Sequence, residues 1–370
     1  MADTLPEFPT DVATAPLLRL SLLKLINHDA TEIDRFINAC CDLGFFYLHL
    51  DGPGDTIQEQ SQQMFNIAEG LFDLPLEEKK KFDFSAHKTY FGYKHLGGSV
   101  ADRTGRLDRN EFYNASLRTR NWYLPELTRG QISRDDILGT TKPWPAPQVL
   151  EQQRLFLQGF MKSAQDIVHL LLGLLNEFLQ LPEDTLSSMH RVNVPSGDHV
   201  RMIKAPPQPV DDKQIALGEH TDFGSITILF NRLGGLQILP PGDDATWTYV
   251  KPLPNHAIIN IGDALVKFTN GVLRSNIHRV VSPPGAQEQH PRYSVVYFSR
   301  PEDDVPLRRL QGSAVIPPLQ DGADEEVATS KEWIIRRALG SRPQVVGDDA
   351  YDWSKSSGTE DISRRTATVS

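Results

Sequence analysis

From Asp29 onward the apolar positions recur at helical spacing. Asp29 can cap a helix through Glu32, and Ile33, Phe36, Ile37 and Cys40 then return every three or four residues until Gly44 offers a stop. Phe45 to Leu50 reads as the strand that follows. A second helix is predicted from about Asp55 to Phe72, with Ile57, Met64, Ala68, Leu71 and Phe72 on one face. Pro75 and the charged stretch Glu77 to Lys81, a solvated helix surface, close it. The strongest helical pattern runs from about Gln148 to Leu181. There Leu150, Leu157, Phe160, Ala164, Ile167, Leu171, Leu174 and Phe178 mark the buried stripe of a scaffold helix packed on a sheet.

From about Asp198 the texture changes to short β-rich runs separated by Gly, Pro, Asn and Asp. They are Val200 to Ala205, Ser225 to Phe230, Leu236 to Leu239, Trp247 to Val250, Ala257 to Ile261, Asn276 to Val281 and Arg292 to Phe298. Strands this short at regular spacing predict a β sandwich or barrel. A last helix is expected around Ser330 to Leu339. The chain thus divides into an N-terminal tail (1–14), one domain (15–340) and a polar tail (341–370) too poor in periodic apolar residues to be expected ordered. Within the domain, a helix-rich flank (15–195) precedes a β core (196–305) and a C-terminal helical region (306–340). Neither a G-x-x-x-x-G-K phosphate loop nor a G-x-G-x-x-G fingerprint is present.

The 38 Lys and Arg against 48 Asp and Glu leave a net charge of −10, which turns the search for partners away from nucleic acid and anionic membranes. A chain of 370 residues can bury a large core without disulfides or structural zinc. Cys40 and Cys41, the two cysteines, are neighbours in one helix and read as small buried apolar residues. The first twenty residues lack a basic segment followed by an apolar one, and the longest apolar run, Ile167 to Leu175, is broken by His169 and Gly173. A cytoplasmic protein with no obligate protein partner is the expectation.

His220 and Asp222 stand at i and i+2 beside a predicted strand, so they point the same way and can share a metal ion. The spacing alone is weak, since His49-Leu50-Asp51 repeats it at what reads as a strand end and turn. His278, 56 residues beyond Asp222 on another β-like run, supplies a third ligand. Two imidazoles and a carboxylate form the facial triad of non-haem Fe(II) oxygenases, although zinc in a hydrolase accepts the same set. Arg292 and Ser294 favour the oxygenase: again an i, i+2 pair, they suit a distant carboxylate of an organic acid. His190, His199 and His256 lack any spacing that pairs them with a carboxylate.

The segments His220 to Phe230, Gly234 to Gln237, Asn260 to Asp263, Thr269 to Gly271, His278 to Val280 and Arg292 to Ser294 with Phe298 closely resemble the iron and 2-oxoglutarate dependent dioxygenases of the isopenicillin N synthase-like superfamily. Ala39 to Tyr47, Leu74 to Lys79 and Arg109 to Tyr113 match more loosely. The resemblance implies a mainly β fold with flanking helices, a double-stranded β-helix (jelly roll, cupin-like) core. By the same resemblance His220, Asp222 and His278 hold Fe(II), while Arg292 and Ser294 grip the far carboxylate of 2-oxoglutarate. It further implies an oxidoreductase that uses O2, releases succinate and oxidises a C–H bond of a small organic molecule in specialised (secondary) metabolism. Hydroxylation, desaturation and ring formation are all open.

The sequence departs from the family at one position. Members usually carry an Asn-x-Tyr-Pro pattern before the H-x-D motif, and here Ile203 and Ala205 occupy the Asn and Tyr positions. That departure keeps a 2-oxoglutarate-independent iron oxidase as an alternative; a catalytically silent jelly-roll binding protein is a further one, against which the complete triad speaks. Alternation turns Lys204 away from the site, whereas a one-residue slip would bring it inward as a carboxylate partner. Phe223, Lys204, Tyr93, Arg109, Tyr113 and Phe298 are the candidate substrate contacts.

Overall fold

The computed structural model describes residues 5–52, 56–87, 89–101, 105–115, 146–208, 215–319, 327–340 and 358–359. Apart from Gly358 and Thr359, the expected polar tail lies outside the described residues. The first strands and helices are β1 (Arg19–Ser21), α1 (Leu22–Ile26), α2 (Ala30–Asp42), β2 (Phe45–His49), α3 (Thr56–Phe72), α4 (Leu76–Lys80), β3 (Gly92–Lys94) and β4 (Glu111–Ala115). Next come α5 (Gln148–Glu151), α6 (Arg154–Phe178), β5 (His199–Ala205), β6 (Leu217–His220), β7 (Ile226–Asn231), β8 (Leu236–Ile238) and β9 (Thr248–Tyr249). The remainder are β10 (His256–Ile261), α7 (Asp263–Phe268), β11 (His278–Val280), β12 (Arg292–Ser299) and α8 (Ser330–Gly340).

Two sheets form, one ordered β1-β2-β10-β7-β12-β5-β4-β3 and the other β6-β11-β8-β9. Every pairing is antiparallel except β1 with β2. Their inner faces enclose a cavity, to which Leu217, Leu236 and Val280 of the small sheet and Ile203, Leu229 and Val296 of the large one contribute. Helices α3 and α6 cover the outer face of the large sheet. This is the expected jelly-roll core with flanking helices.

Local chemistry explains the frame. The Asp29 carboxylate caps α2 by accepting from the Glu32 N–H at 2.9 Å. The helix ends at Gly44, whose φ of +64° and close approach to the Arg274 carbonyl leave no room for a Cβ. On α6 the residues Leu157, Phe160, Ala164, Val168, Leu171 and Leu175 are essentially inaccessible. Each large apolar side chain buried there stabilises the fold by roughly 1.5–3 kcal/mol.

Two expectations are corrected. The predicted helix from Gln148 to Leu181 is two helices broken at Gln152 and Gln153, and periodicity misses the break because Leu150 and Leu157 are buried alike on either side of it. The helix-rich flank also contributes β1, β2, β3 and β4, half of the large sheet. Of these only β2 reads as a strand in sequence; β1 and β3, three residues each, are too short to carry an alternation, and β4 sets Phe112 beside Tyr113.

Candidate active site

Strands β6 and β11 pair so that His220 and His278 are direct partners, with ring centroids 4.2 Å apart. Asp222 follows β6 by two residues, and its Oδ1 lies 3.9 Å from Nε2 of each histidine. Among the described residues, these three form the one group whose ligand atoms, all within 4.8 Å of one another, are placed for a metal ion.

The surroundings orient each ligand. His220 Nδ1 meets the Gly218 carbonyl at 2.8 Å and His278 Nδ1 meets that of Asn276 at 3.1 Å. A carbonyl can only accept, so both Nδ1 atoms carry the proton and both Nε2 lone pairs face the shared point. Asp222 Oδ2 accepts from Asn260 Nδ2 at 2.6 Å and from the Thr227 hydroxyl at 2.7 Å, which leaves Oδ1 toward the histidines. Asn260 and Thr227 are cross-strand partners on β10 and β7, so the large sheet aims a ligand carried by the small one.

The electrostatics suit a cation. Burial, then the neighbouring His278, pushes His220 down to about 3, against the opposing pull of Asp222. Burial works against the Asp222 carboxylate, but His278, His220 and the two hydrogen bonds outweigh it and hold the group below the usual range. Two imidazole nitrogens and one carboxylate on one side of a cavity are the donor set that fits Fe(II) and leaves coordination positions open.

At one end of the cavity Arg292 on β12 is 3% exposed, and burial lowers its pKa to about 10. Its Nε donates to the Gly234 carbonyl at 2.7 Å and Nη1 to the Ser294 hydroxyl at 2.6 Å. No carboxylate of a described residue lies within ion-pair distance of this guanidinium. A buried cation with only neutral partners is costly unless an anion completes it.

Residues 196–301 match the 2OG-Fe(II) oxygenase superfamily, and residues 15–128 match the N-terminal region described for the non-haem dioxygenase in morphine synthesis. A 2-oxoglutarate-dependent dioxygenase of Aspergillus fumigatus is 34% identical over 362 residues, 90% of this chain and 88% of that protein. Another, gloE of Glarea lozoyensis, is 29% identical over 300 residues, 81% and 84% respectively. The chain belongs to the 2-oxoglutarate and Fe(II) dependent oxygenases. In fold it is similar to a full-length Neurospora crassa protein crystallised with 2-oxoglutarate and thymine: the TM-score is 0.70 at 22% identity, covering 89% of this chain and 99% of that one. The family's reaction uses Fe(II), 2-oxoglutarate and O2.

Some of the expected substrate contacts line the oxygenase's cavity and others do not. Phe223 and Phe298 do line it. Lys204 does not: with Met202 it takes the opposite face of β5, its Nζ 3.7 Å from Asp73 and over the Tyr293 ring, so no register slip occurs. Tyr113 pairs with Met202 and shares that helix-facing side, where Tyr93 is buried too. The Tyr93 hydroxyl donates to Glu111, which also holds Lys79, and burial followed by that hydrogen bond raises Tyr93 strongly. Arg109, half-buried ahead of β4, is outside the cavity lining as well. The β4 residues on the cavity side are Phe112 and Asn114, one position either way from the tyrosine expected there.

Two lining residues carry no motif signal in sequence, Arg201 and Arg300. Alternation is the signal that finds them: Arg292, Ser294, Val296, Phe298 and Arg300 all line the cavity, as do Arg201 and Ile203 on β5. The remaining H-x-D pair is structural, with Asp51 accepting from the Ser21 hydroxyl and the Leu23 N–H while His49 stacks on His256. His190 is hydrogen-bonded to Ser225, and His199 stacks on Phe298.

None of the helices among the described residues is long and apolar enough to cross a membrane.

Proposed function

We propose that this oxygenase oxidises a C–H bond of a small organic molecule, with iron held by His220, Asp222 and His278 and the far carboxylate of 2-oxoglutarate held by Arg292 and Ser294. Support comes chiefly from one observation, the buried Arg292 guanidinium that has only neutral partners among the described residues. A dicarboxylic acid reaching from the metal to this point supplies the missing charge, and the Ser294 hydroxyl adds a second donor. No tyrosine is needed for that grip, although Ala205 stands where relatives usually carry one.

When bound, Fe(II) chelated by the keto acid supplies the activation of O2 coupled to decarboxylation to succinate. The chain's own residues perform the rest. His220 and His278 present unprotonated nitrogens to one point, and Asn260 with Thr227 fixes the face of Asp222. Leu217, Leu229, Leu236, Val280 and Val296 wall the cavity with hydrocarbon that excludes water. Phe223 and Phe298 flank the substrate and hold one C–H bond toward the metal, where misplacement by an ångström can cost about a hundredfold in rate. Relatives with fungal sources support a role in specialised metabolism.

The test is anaerobic titration of the Fe(II)-loaded enzyme with 2-oxoglutarate, following the visible charge-transfer band of the chelate. A saturable band, lost in Arg292→Ala while iron binding persists, is the expected result. Bound iron with no band would return the 2-oxoglutarate-independent oxidase to first place, and protein that binds no iron would return the silent jelly roll.

A further inference from the structure

Arg292 opens β12 and Arg300 follows its last residue, and both line the same cavity as His220, Asp222 and His278. Arg300 is 2% exposed and donates from Nη1 to the Tyr90 hydroxyl at 2.8 Å and to the Gly197 carbonyl at 3.1 Å, both neutral acceptors. Its Nε is buried without an acceptor, and no described carboxylate lies within ion-pair distance of its side chain. Arg201 stands beside it on β5, Nε on Asn114 Oδ1 at 2.7 Å and guanidinium over the Phe298 ring at 5.1 Å. Arg300 itself faces Phe223 at 5.6 Å and Phe298 at 5.7 Å.

Charge balance says what Arg300 takes. Among the described residues that line the cavity, Asp222 is the one carboxylate. The two charges of Fe(II) and that of Arg292 are matched by Asp222 and the two carboxylates of 2-oxoglutarate. Nothing in that balance answers Arg300, and Arg201 adds to the positive potential there. The nearby buried carboxylate, Asp198, is taken up by the Arg300 backbone N–H at 2.7 Å and the Tyr297 hydroxyl at 3.0 Å, so it does not answer the Arg300 guanidinium. A desolvated guanidinium of this kind is stabilised by an anion that arrives with the ligand.

We propose that the primary substrate is an organic acid whose carboxylate docks on Arg300 with Arg201 alongside, its apolar or aromatic body lying between Phe223 and Phe298. The inference rests on the functional reading above, since it assigns 2-oxoglutarate to Arg292 and Ser294. The choice of a carboxylate follows from the planar, forked guanidinium, and the flat aromatic walls favour a ring beside it.

The experiment uses the Fe(II)-loaded enzyme, anaerobic and saturated with 2-oxoglutarate, titrated calorimetrically with phenylacetate and with the neutral isostere phenylacetamide. The acid is expected to bind roughly 10- to 100-fold more tightly, the range of one charge-assisted contact. Arg300→Gln removes the preference, Arg300→Lys retains part of it, and 2-oxoglutarate affinity is unchanged in both. Arg201→Gln, which leaves Arg300 in place, weakens the preference and keeps the test open if Arg300→Gln fails to fold. Equal binding of acid and amide, binding of neither, or a preference that survives both glutamine variants overturns the proposal. Failure of 2-oxoglutarate to bind in the preceding step would instead overturn the functional reading, and this inference with it.

Discussion

Asn260, on β10 of the large sheet, donates its side-chain amide at 2.6 Å to Oδ2 of Asp222, which lies two residues beyond β6 of the small sheet. The contact fixes which carboxylate oxygen faces the histidines. It also explains a polar residue set between Ile259 and Ile261, both inaccessible, on a buried strand. Asn260→Ala is expected to weaken metal binding roughly 10- to 100-fold with the fold intact. Competition against a metal-sensitive chelating dye measures this, and unchanged affinity would mean that the Thr227 hydroxyl alone suffices.

Asp222→Ala removes the anionic ligand itself. Iron bound at stoichiometric levels should disappear, because two neutral imidazoles are left to hold the ion. Metal analysis of purified protein reads the result, and undiminished iron content would sink the triad assignment.

Arg337 and Asp263 form an ion pair with Nη2 to Oδ2 at 3.5 Å, both side chains at 0% exposure. Arg337 also donates to the Thr221 carbonyl at 2.9 Å, and the Asp263 N–H donates to the Asp222 carbonyl at 2.8 Å. Thr359, in the C-terminal segment, adds a hydroxyl to Asp263 Oδ1 at 2.7 Å. The pair thus pins the backbone between His220 and Asp222. Arg337→Leu leaves Asp263 without its cation and should destabilise the protein by about 3–5 kcal/mol, read as a lower urea midpoint. A variant with wild-type stability would show that the hydroxyls and backbone contacts carry Asp263 by themselves.

Burial, then the charges of Arg300 and Arg201, holds His199 well below its ordinary value. It is therefore neutral when folded and gains a proton on unfolding. Its contribution is fully present above the unfolded value near 6.5 and is lost as pH falls below it, by about 1.4 kcal/mol per pH unit. His199→Phe, which keeps a ring against Phe298, should lose less stability than wild type between pH 7 and pH 5. Parallel denaturation curves on metal-free protein decide this, and equal losses would place the acid sensitivity in other groups, His190 among them.

The ligand cluster was legible because each of its parts is local. His220 and Asp222 show a two-residue spacing beside a strand, and His278 a histidine inside a second one. Lys204 was legible by alternation, which places it on the far side of β5 from Ile203. Tyr93 and Tyr113 were not, because β3 has only three residues and β4 sets Phe112 beside Tyr113, so neither shows which face meets the cavity. Arg201 and Arg300 lie on alternating faces already assigned inward, yet both fall outside the quoted motif positions. Only packing shows that Arg300 is buried against neutral acceptors.

Element types over most of the core, the ligand residue types and the inward side of β12 are written along the chain, because periodicity and short spacings are properties of neighbouring residues. Everything that joins distant segments came from folding in three dimensions. It placed His278 opposite His220 across a strand pair, turned Asp222 with two side chains from the other sheet, and gave the helical flank half of the large sheet's strands. It also buried two arginines of one strand face against neutral acceptors. Strand pairing and desolvation depend on which surfaces meet, and no local pattern along the chain contains that information.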